Sequence, residues 1–240
     1  MKLIVTETEH FDRTAAGFVS GYIRMKPDAV LGFATGSTTV GLHRELARMH
    51  LEEGLDFSQV YSFNLDEYAG IPWEHPKSCR CRMEEQLFRH VNIRRERIEF
   101  LNGAAADPEA ECVRFARAID ACGGIDLQVL GIGTNGHIAF NEPGTPFDSR
   151  LRVVPLAQQT IGDKSAFFGG EELVPRCGIT MGLMDVMRCK RNVLLARGAD
   201  KADIIRRSLR GPVTVDVPAS VLQLHPQLTV ILDKAAAAGL

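Results

Sequence analysis

His137 and Glu142 lie five positions apart in a glycine-bounded segment, Gly131–Gly144 (GIGTNGHIAFNEPG). Imidazole is the side chain whose proton moves near neutral pH, and a carboxylate beside it can orient the ring and support its charge. Asn135 and Asn141 add polar groups on either side. A lone loop histidine is usually structural, but one flanked in this way at the end of a strand argues for proton transfer. Gly131, Gly133 and Gly136 also satisfy G-x-G-x-x-G, the dinucleotide fingerprint. That motif should open a helix, whereas Pro143 and Gly144 close this stretch after one or two turns at most. The glycines fit better a backbone that approaches some other ligand.

Other segments add complementary chemistry. Phe63-Asn64-Leu65-Asp66-Glu67-Tyr68 places two adjacent carboxylates after an apolar run. One of them can serve as a general base if burial or neighbours tune it; the alternative is the polar start of a loop. Ala34-Thr35-Gly36-Ser37-Thr38-Thr39 is a small-residue turn leading into a helix, so backbone N–H groups and the helix dipole can meet an anion. It lacks the Gly-Lys-Ser/Thr of a P-loop, and an ordinary capped turn is the competing reading. Lys201, in the first turn of a helix after Arg197-Gly198-Ala199-Asp200, runs against the dipole preference. It is either a solvated lysine or one that reaches across to an anionic ligand.

The elements that must hold these residues follow from periodicity. Val30–Ala34, Val60–Asn64, Leu127–Ile132, Val193–Ala196 and Leu228–Leu232 read as strands, apolar without alternation and so buried on both faces. Thr38–Glu53, Ser78–Val91, Asp107–Cys122 and Lys201–Leu209 read as helices. The Asp107 helix has an N-cap, Pro108 in its first turn and the Gly123-Gly124 stop. Ala235–Ala238 reads as a frayed helical end. Alternating strands and helices predict an α/β fold: a doubly wound, mostly parallel, Rossmann-like sheet with helices on both faces. With no repeat or linker, residues 1–240 read as a single domain. Ligands of such sheets bind beyond the carboxyl ends of the strands, where all the segments above fall.

Composition narrows the partners. The chain is 45% apolar and 24% charged with a formal net charge of −2. Such a balance is ordinary for a globular protein and offers no basic excess for nucleic acid. A phosphorylated ligand would have to be met by a local cluster. No apolar run approaches the length of a membrane span, and MKLIVTETEHFDR turns charged too early for a signal peptide. A cytoplasmic protein is expected, with six reduced thiols and no metal site, because no Cys/His pair matches Cys79 and Cys81 at zinc spacing.

Together these segments resemble the glucosamine-6-phosphate deaminase family over nearly the whole chain. The resemblance rests on ATGSTT at 34–39, FNLDEYAG at 63–70, HPKS at 75–78 and GIGTNGHIAFNEPGTPFDSR at 131–150. ITMG at 179–182 and GPVTVDVPASVLQLHP at 211–226 extend it. It implies conversion of glucosamine 6-phosphate to fructose 6-phosphate and ammonia, without metal or organic cofactor. By position, Asp66 would be the base of the enolisation step and His137 would move the ring-opening proton. Glu142 and Asn135 would assist, and Thr35, Gly36, Ser37, Thr38 and Lys201 would hold the phosphate. Some members carry Asp in place of Asn135.

One position departs from the family pattern. Ala166 stands where members commonly carry a phosphate-binding Arg. A charge-assisted hydrogen bond of that kind contributes roughly 1.5–3 kcal/mol, so Lys164 or Arg176 is expected to substitute, and Ala166→Arg is expected to tighten binding. Allosteric members extend beyond the last strand, so no activation by N-acetylglucosamine 6-phosphate is expected. The family includes monomers and hexamers, which leaves a homo-oligomer open. Galactosamine 6-phosphate deamination, a 6-phosphogluconolactonase-like hydrolysis and a non-catalytic sugar-phosphate-binding regulator are the competing functions. Phe147–Ala166 is the candidate mobile stretch beside the site.

Overall fold

A computed structural model describes residues 1–240. Its order is β1 (Lys2–Thr6), α1 (Phe11–Met25), β2 (Val30–Phe33), α2 (Val40–Glu53), β3 (Tyr61–Asn64), β4 (Asp66–Tyr68), α3 (Cys79–Gln86), β5 (Ile98–Glu99), α4 (Pro108–Ala121), β6 (Leu127–Leu130), β7 (Arg152–Pro155), α5 (Gln158–Phe168), β8 (Cys177–Thr180), α6 (Leu183–Arg188), β9 (Asn192–Ala196), α7 (Ala202–Arg210) and β10 (Leu228–Asp233). Seven strands form one parallel sheet in the order β1-β10-β9-β6-β2-β3-β5.

The expected doubly wound sheet is therefore present, and its burial explains the apolar strands. Neighbouring residues of β2 point to opposite faces: Val30 joins the core beneath α4, α6 and α7, while Leu31 and Phe33 join the core beneath α1, α2 and α3. β2, β3 and β5 progress toward one edge, and β6, β9 and β10 toward the other. The order thus reverses between β2 and β6, where doubly wound sheets open a crevice for ligands. No helix is long and apolar enough to cross a membrane.

The chain then departs from a simple alternation. Immediately after β3 it leaves the main sheet, and β4 pairs antiparallel with β8, which pairs with β7, as a second sheet. Tyr68 of β4, Phe140 and Phe168 of α5 share a small third core there.

Several boundaries differ from the sequence reading. α2 begins at Val40, and α3 ends at Gln86, followed only by a tight turn at Phe88–His90. Ala235–Ala238 is turn rather than helix, with Ala236 buried. Periodicity alone did not reveal β1, α1 or the second sheet, because Lys2–Thr6 is a half-exposed edge strand and β4, β7 and β8 are three or four residues long. The candidate mobile stretch Phe147–Ala166 contains β7 and most of α5.

Candidate active site

The carboxyl ends of β2 and β6, together with β4 and α5, enclose a cavity of about 260 Å³. Thr35, Gly36, Ser37, Thr38, Asp66, His137 and Lys201 all line it, so the structure brings together residues that the sequence placed at separate strand ends. Asn135 and Glu142 stand directly behind His137.

Asp66 and Glu67 are separated by the alternation of β4. Glu67 is fully buried and accepts from the backbone N–H groups of Tyr68 (2.8 Å), Cys79 (2.9 Å) and Arg80 (3.1 Å), which anchors the start of α3. Asp66 faces the cavity and is 7% exposed. Burial, then the charge of Glu67, push its carboxyl up to about 7; the Cys79 thiol, Lys164 and Arg82 act in the opposite direction. Of the two adjacent acids, Asp66 has the protonation behaviour of a general base at neutral pH.

His137 and Glu142 form a second grouping of titratable side chains at the site. The ring Nδ1 lies 3.4 Å from Glu142 Oε2, an ion-pair distance too long for a good hydrogen bond. Asn135 Nδ2 donates to the same oxygen at 2.7 Å, and Thr160 donates its hydroxyl to Oε1. Burial opposes the charge of Glu142, yet His137, Thr160 and Asn135 outweigh it and hold the carboxyl at about 2. Glu142 is therefore an anion at neutral pH, set beside His137. Asn141, by contrast, is buried and ties the loop to the carbonyls of Ile138 and Met181. The glycines allow this arrangement. A Cβ on Gly133 would lie 2.2 Å from His137 Cε1. Gly136 adopts φ 91°, and Ala139, on the cavity wall, is a rare non-glycine at φ 52°.

The anion loop is shaped by Thr39, which is buried. Its hydroxyl accepts from Gly36 N (3.2 Å) and donates to Ala34 O (3.0 Å). The N–H groups of Ser37 and Thr38 make no hydrogen bond within the chain, so they are available to an anion beside the start of α2. Lys201 approaches from a tight turn, Ala199–Lys201, ahead of α7. Its stem is covered, and its amine is 3.5 Å from Asp200. Arg197 instead pairs with Asp12 at 3.2 Å and belongs to the scaffold.

α5 contributes what the sequence reading left undecided. Lys164 is half-buried, lines the cavity and has no carboxylate within ion-pairing distance; burial, then Arg82, lower its pKa. Arg82, also without a carboxylate partner, stacks 5.0 Å from the Phe167 ring. Ala166 and Arg176 are exposed and do not line the cavity. Thr160 and Cys79 escaped the sequence reading as site residues, and of the two substitutes it offered for the missing Arg, Lys164 lines the cavity. Thr160 and Lys164 share one face of a helix at i, i+4, a signal that was present within QQTIGDKSAFF.

Comparison with known proteins identifies the family and the fold. The family model described as glucosamine-6-phosphate isomerases/6-phosphogluconolactonase matches residues 9–231. The glucosamine-6-phosphate deaminase of Thermoanaerobacter pseudethanolicus (strain ATCC 33223 / 39E) is 46% identical over 238 residues, covering 99% of this chain and 94% of the relative. Glucosamine-6-phosphate deaminase 2 of Giardia intestinalis is 47% identical, covering 99% and 90%. A solved structure of a monomeric glucosamine-6-phosphate deaminase superposes with a TM-score of 0.97 at 42% identity, covering 100% of both chains. The 6-phosphogluconolactonase from Trypanosoma cruzi superposes at 0.79 with 16% identity, covering 100% and 96%, a likeness of fold alone.

Proposed function

Because this chain belongs to the glucosamine-6-phosphate isomerase/6-phosphogluconolactonase family, we propose that it is an enzyme converting glucosamine 6-phosphate and water into fructose 6-phosphate and ammonia. The observation that carries the reading is Asp66, a buried carboxyl poised near neutral pH in the same cavity as His137 and the anion loop.

The phosphate rests on the loop Thr35–Thr38 with Lys201, and Lys164 supplies the charge that position 166 lacks. His137, oriented by Glu142 and Asn135, carries the proton that opens the pyranose to the free aldehyde. Asp66 takes the proton from C2 and returns it to C1, which moves the double bond and leaves an imine at C2. Water adds to that imine and ammonia departs, giving the ketone. A base that titrates near the working pH is both deprotonated enough and basic enough to transfer a proton efficiently, and holding base and carbon together reduces the entropic cost of encounter.

Lactone hydrolysis would need no base at C2, which favours the deaminase reading over the lactonase. The site draws residues from Thr35 to Lys201, consistent with one functional domain. Superposition on a monomeric deaminase supports a monomer as the working unit, and six free thiols are consistent with the cytosol.

Ammonia and fructose 6-phosphate are to be measured after incubation with glucosamine 6-phosphate, galactosamine 6-phosphate and 6-phosphogluconolactone in turn. Stoichiometric release from the first, lowered about 10²–10⁴-fold in Asp66→Asn, is the expected result. No ammonia from either amino sugar overturns the proposal.

A further inference from the structure

Cys79 is the one cysteine that lines the cavity. It is the first residue of α3, and its backbone N–H is fixed by Glu67 at 2.9 Å. Ser78, the N-cap, accepts from Cys81 N at 3.0 Å and donates to Trp73 O at 2.8 Å, so the start of this helix is held from several sides. The side chain then lies between two parts of the site. Its sulfur accepts from Thr35 Oγ1 at 2.9 Å and is 3.7 Å from Asp66 Oδ1. No other side chain in the protein donates a hydrogen bond to the Asp66 carboxylate.

We propose that Cys79 is a positioning residue for the reaction: its thiol donates to the Asp66 carboxylate while accepting from Thr35, and so ties the base to the anion loop. This inference rests on the reading of Asp66 as the base. The direction of donation is set by the surroundings. Burial, then the nearby carboxylates Glu67 and Asp66, push the Cys79 thiol well above its usual range, so it remains S–H at neutral pH and is the donor toward the ionised Asp66 carboxylate. A donor to the charged form favours that form. The other charged and titratable groups around Asp66 are Glu67 and Tyr68 on its own strand, Arg82 on α3 and Lys164 on α5. None of these replaces the thiol as a hydrogen-bond donor.

The test compares wild type, Cys79→Ala, Cys79→Ser and Asp66→Asn by ammonia release from glucosamine 6-phosphate between pH 5 and 9. Folding is checked by thermal melting. Removing the donor should move the acid limb of kcat/KM upward by about one pH unit in Cys79→Ala. kcat should fall severalfold at pH 6.5 and recover above pH 8.5. Cys79→Ser keeps a donor, so its limb should stay at or below that of wild type. If Cys79→Ala does not fold, Cys79→Val, which fills the volume without a donor, carries the same expectation. An acid limb unchanged without the donor, alongside an inactive Asp66→Asn, overturns the positioning role alone. Full activity in Asp66→Asn overturns the base assignment and the inference with it.

Discussion

Asp66 and Glu67 show how one peptide unit separates two acids. Glu67 accepts from three backbone donors and holds a helix, whereas Asp66 has a single weak donor and faces a cavity. The folded protein therefore disfavours the Asp66 carboxylate, with consequences for both rate and stability. Its carboxyl rises from 3.8 to about 7 on folding, so its contribution to stability is full below pH 3.8 and is lost as pH rises through 7. Asp66→Asn should accordingly be more stable than wild type at pH 8, by up to about 4 kcal/mol, and should show little difference at pH 4. Denaturant unfolding at the two pH values measures this, and equal stability at pH 8 contradicts a raised Asp66. Glu142 has the opposite sign. Its carboxyl is held at about 2 by partners that outweigh burial, so it remains charged across the working range.

The loop after β6 and the helix α5 each position one half of the site. The β6 loop needs Gly133 because His137 occupies the space of a side chain there, 2.2 Å from the missing Cβ. Gly133→Ala should displace the imidazole and lower kcat by about 10²-fold while the melting temperature changes little. Wild-type kcat in that variant would show that the ring position is not critical. On α5, residues two apart point to different sides of the helix. Lys164 reaches the cavity and Ala166 faces solvent, so the cation that α5 offers the cavity is at 164. Lys164→Met should raise KM about tenfold or more. The Ala166→Arg change, suggested by the family pattern, should have the smaller effect on KM. Steady-state kinetics of the two variants decides between them.

At the scale of the molecule, a chain of net charge −2 must attract a phosphorylated sugar through a local field rather than a global one. Lys164 and Lys201 on the cavity wall and Arg82 near Asp66 provide that field beside the free N–H groups of Ser37 and Thr38. Exposed parts of it are screened over about 8 Å at physiological salt. Raising the ionic strength from about 0.05 to about 0.5 M should therefore increase KM a few-fold and leave kcat nearly constant. A kcat that falls in parallel would place salt sensitivity in the chemical step. The sheet makes the arrangement possible, since its order reverses between β2 and β6 and the loops leaving those two strands diverge around the ligand.

By itself, the order of residues determined the doubly wound class, because strands buried on both faces must be apolar throughout and their helices must alternate with them. It also marked the candidate residues at the strand ends, since His137 with Glu142, Asp66, and the small-residue loop at 34–39 each have a local signature. Tertiary structure alone decided which of two adjacent acids faces the cavity and what its pKa is, because desolvation depends on what packs around a carboxyl and not on its neighbours in sequence. It alone made Thr160 part of the site and put Lys164 rather than Arg176 on the cavity wall, since α5 packs beside the second sheet. And it alone set Cys79 between Thr35 and Asp66, residues 44 and 13 positions away in the chain.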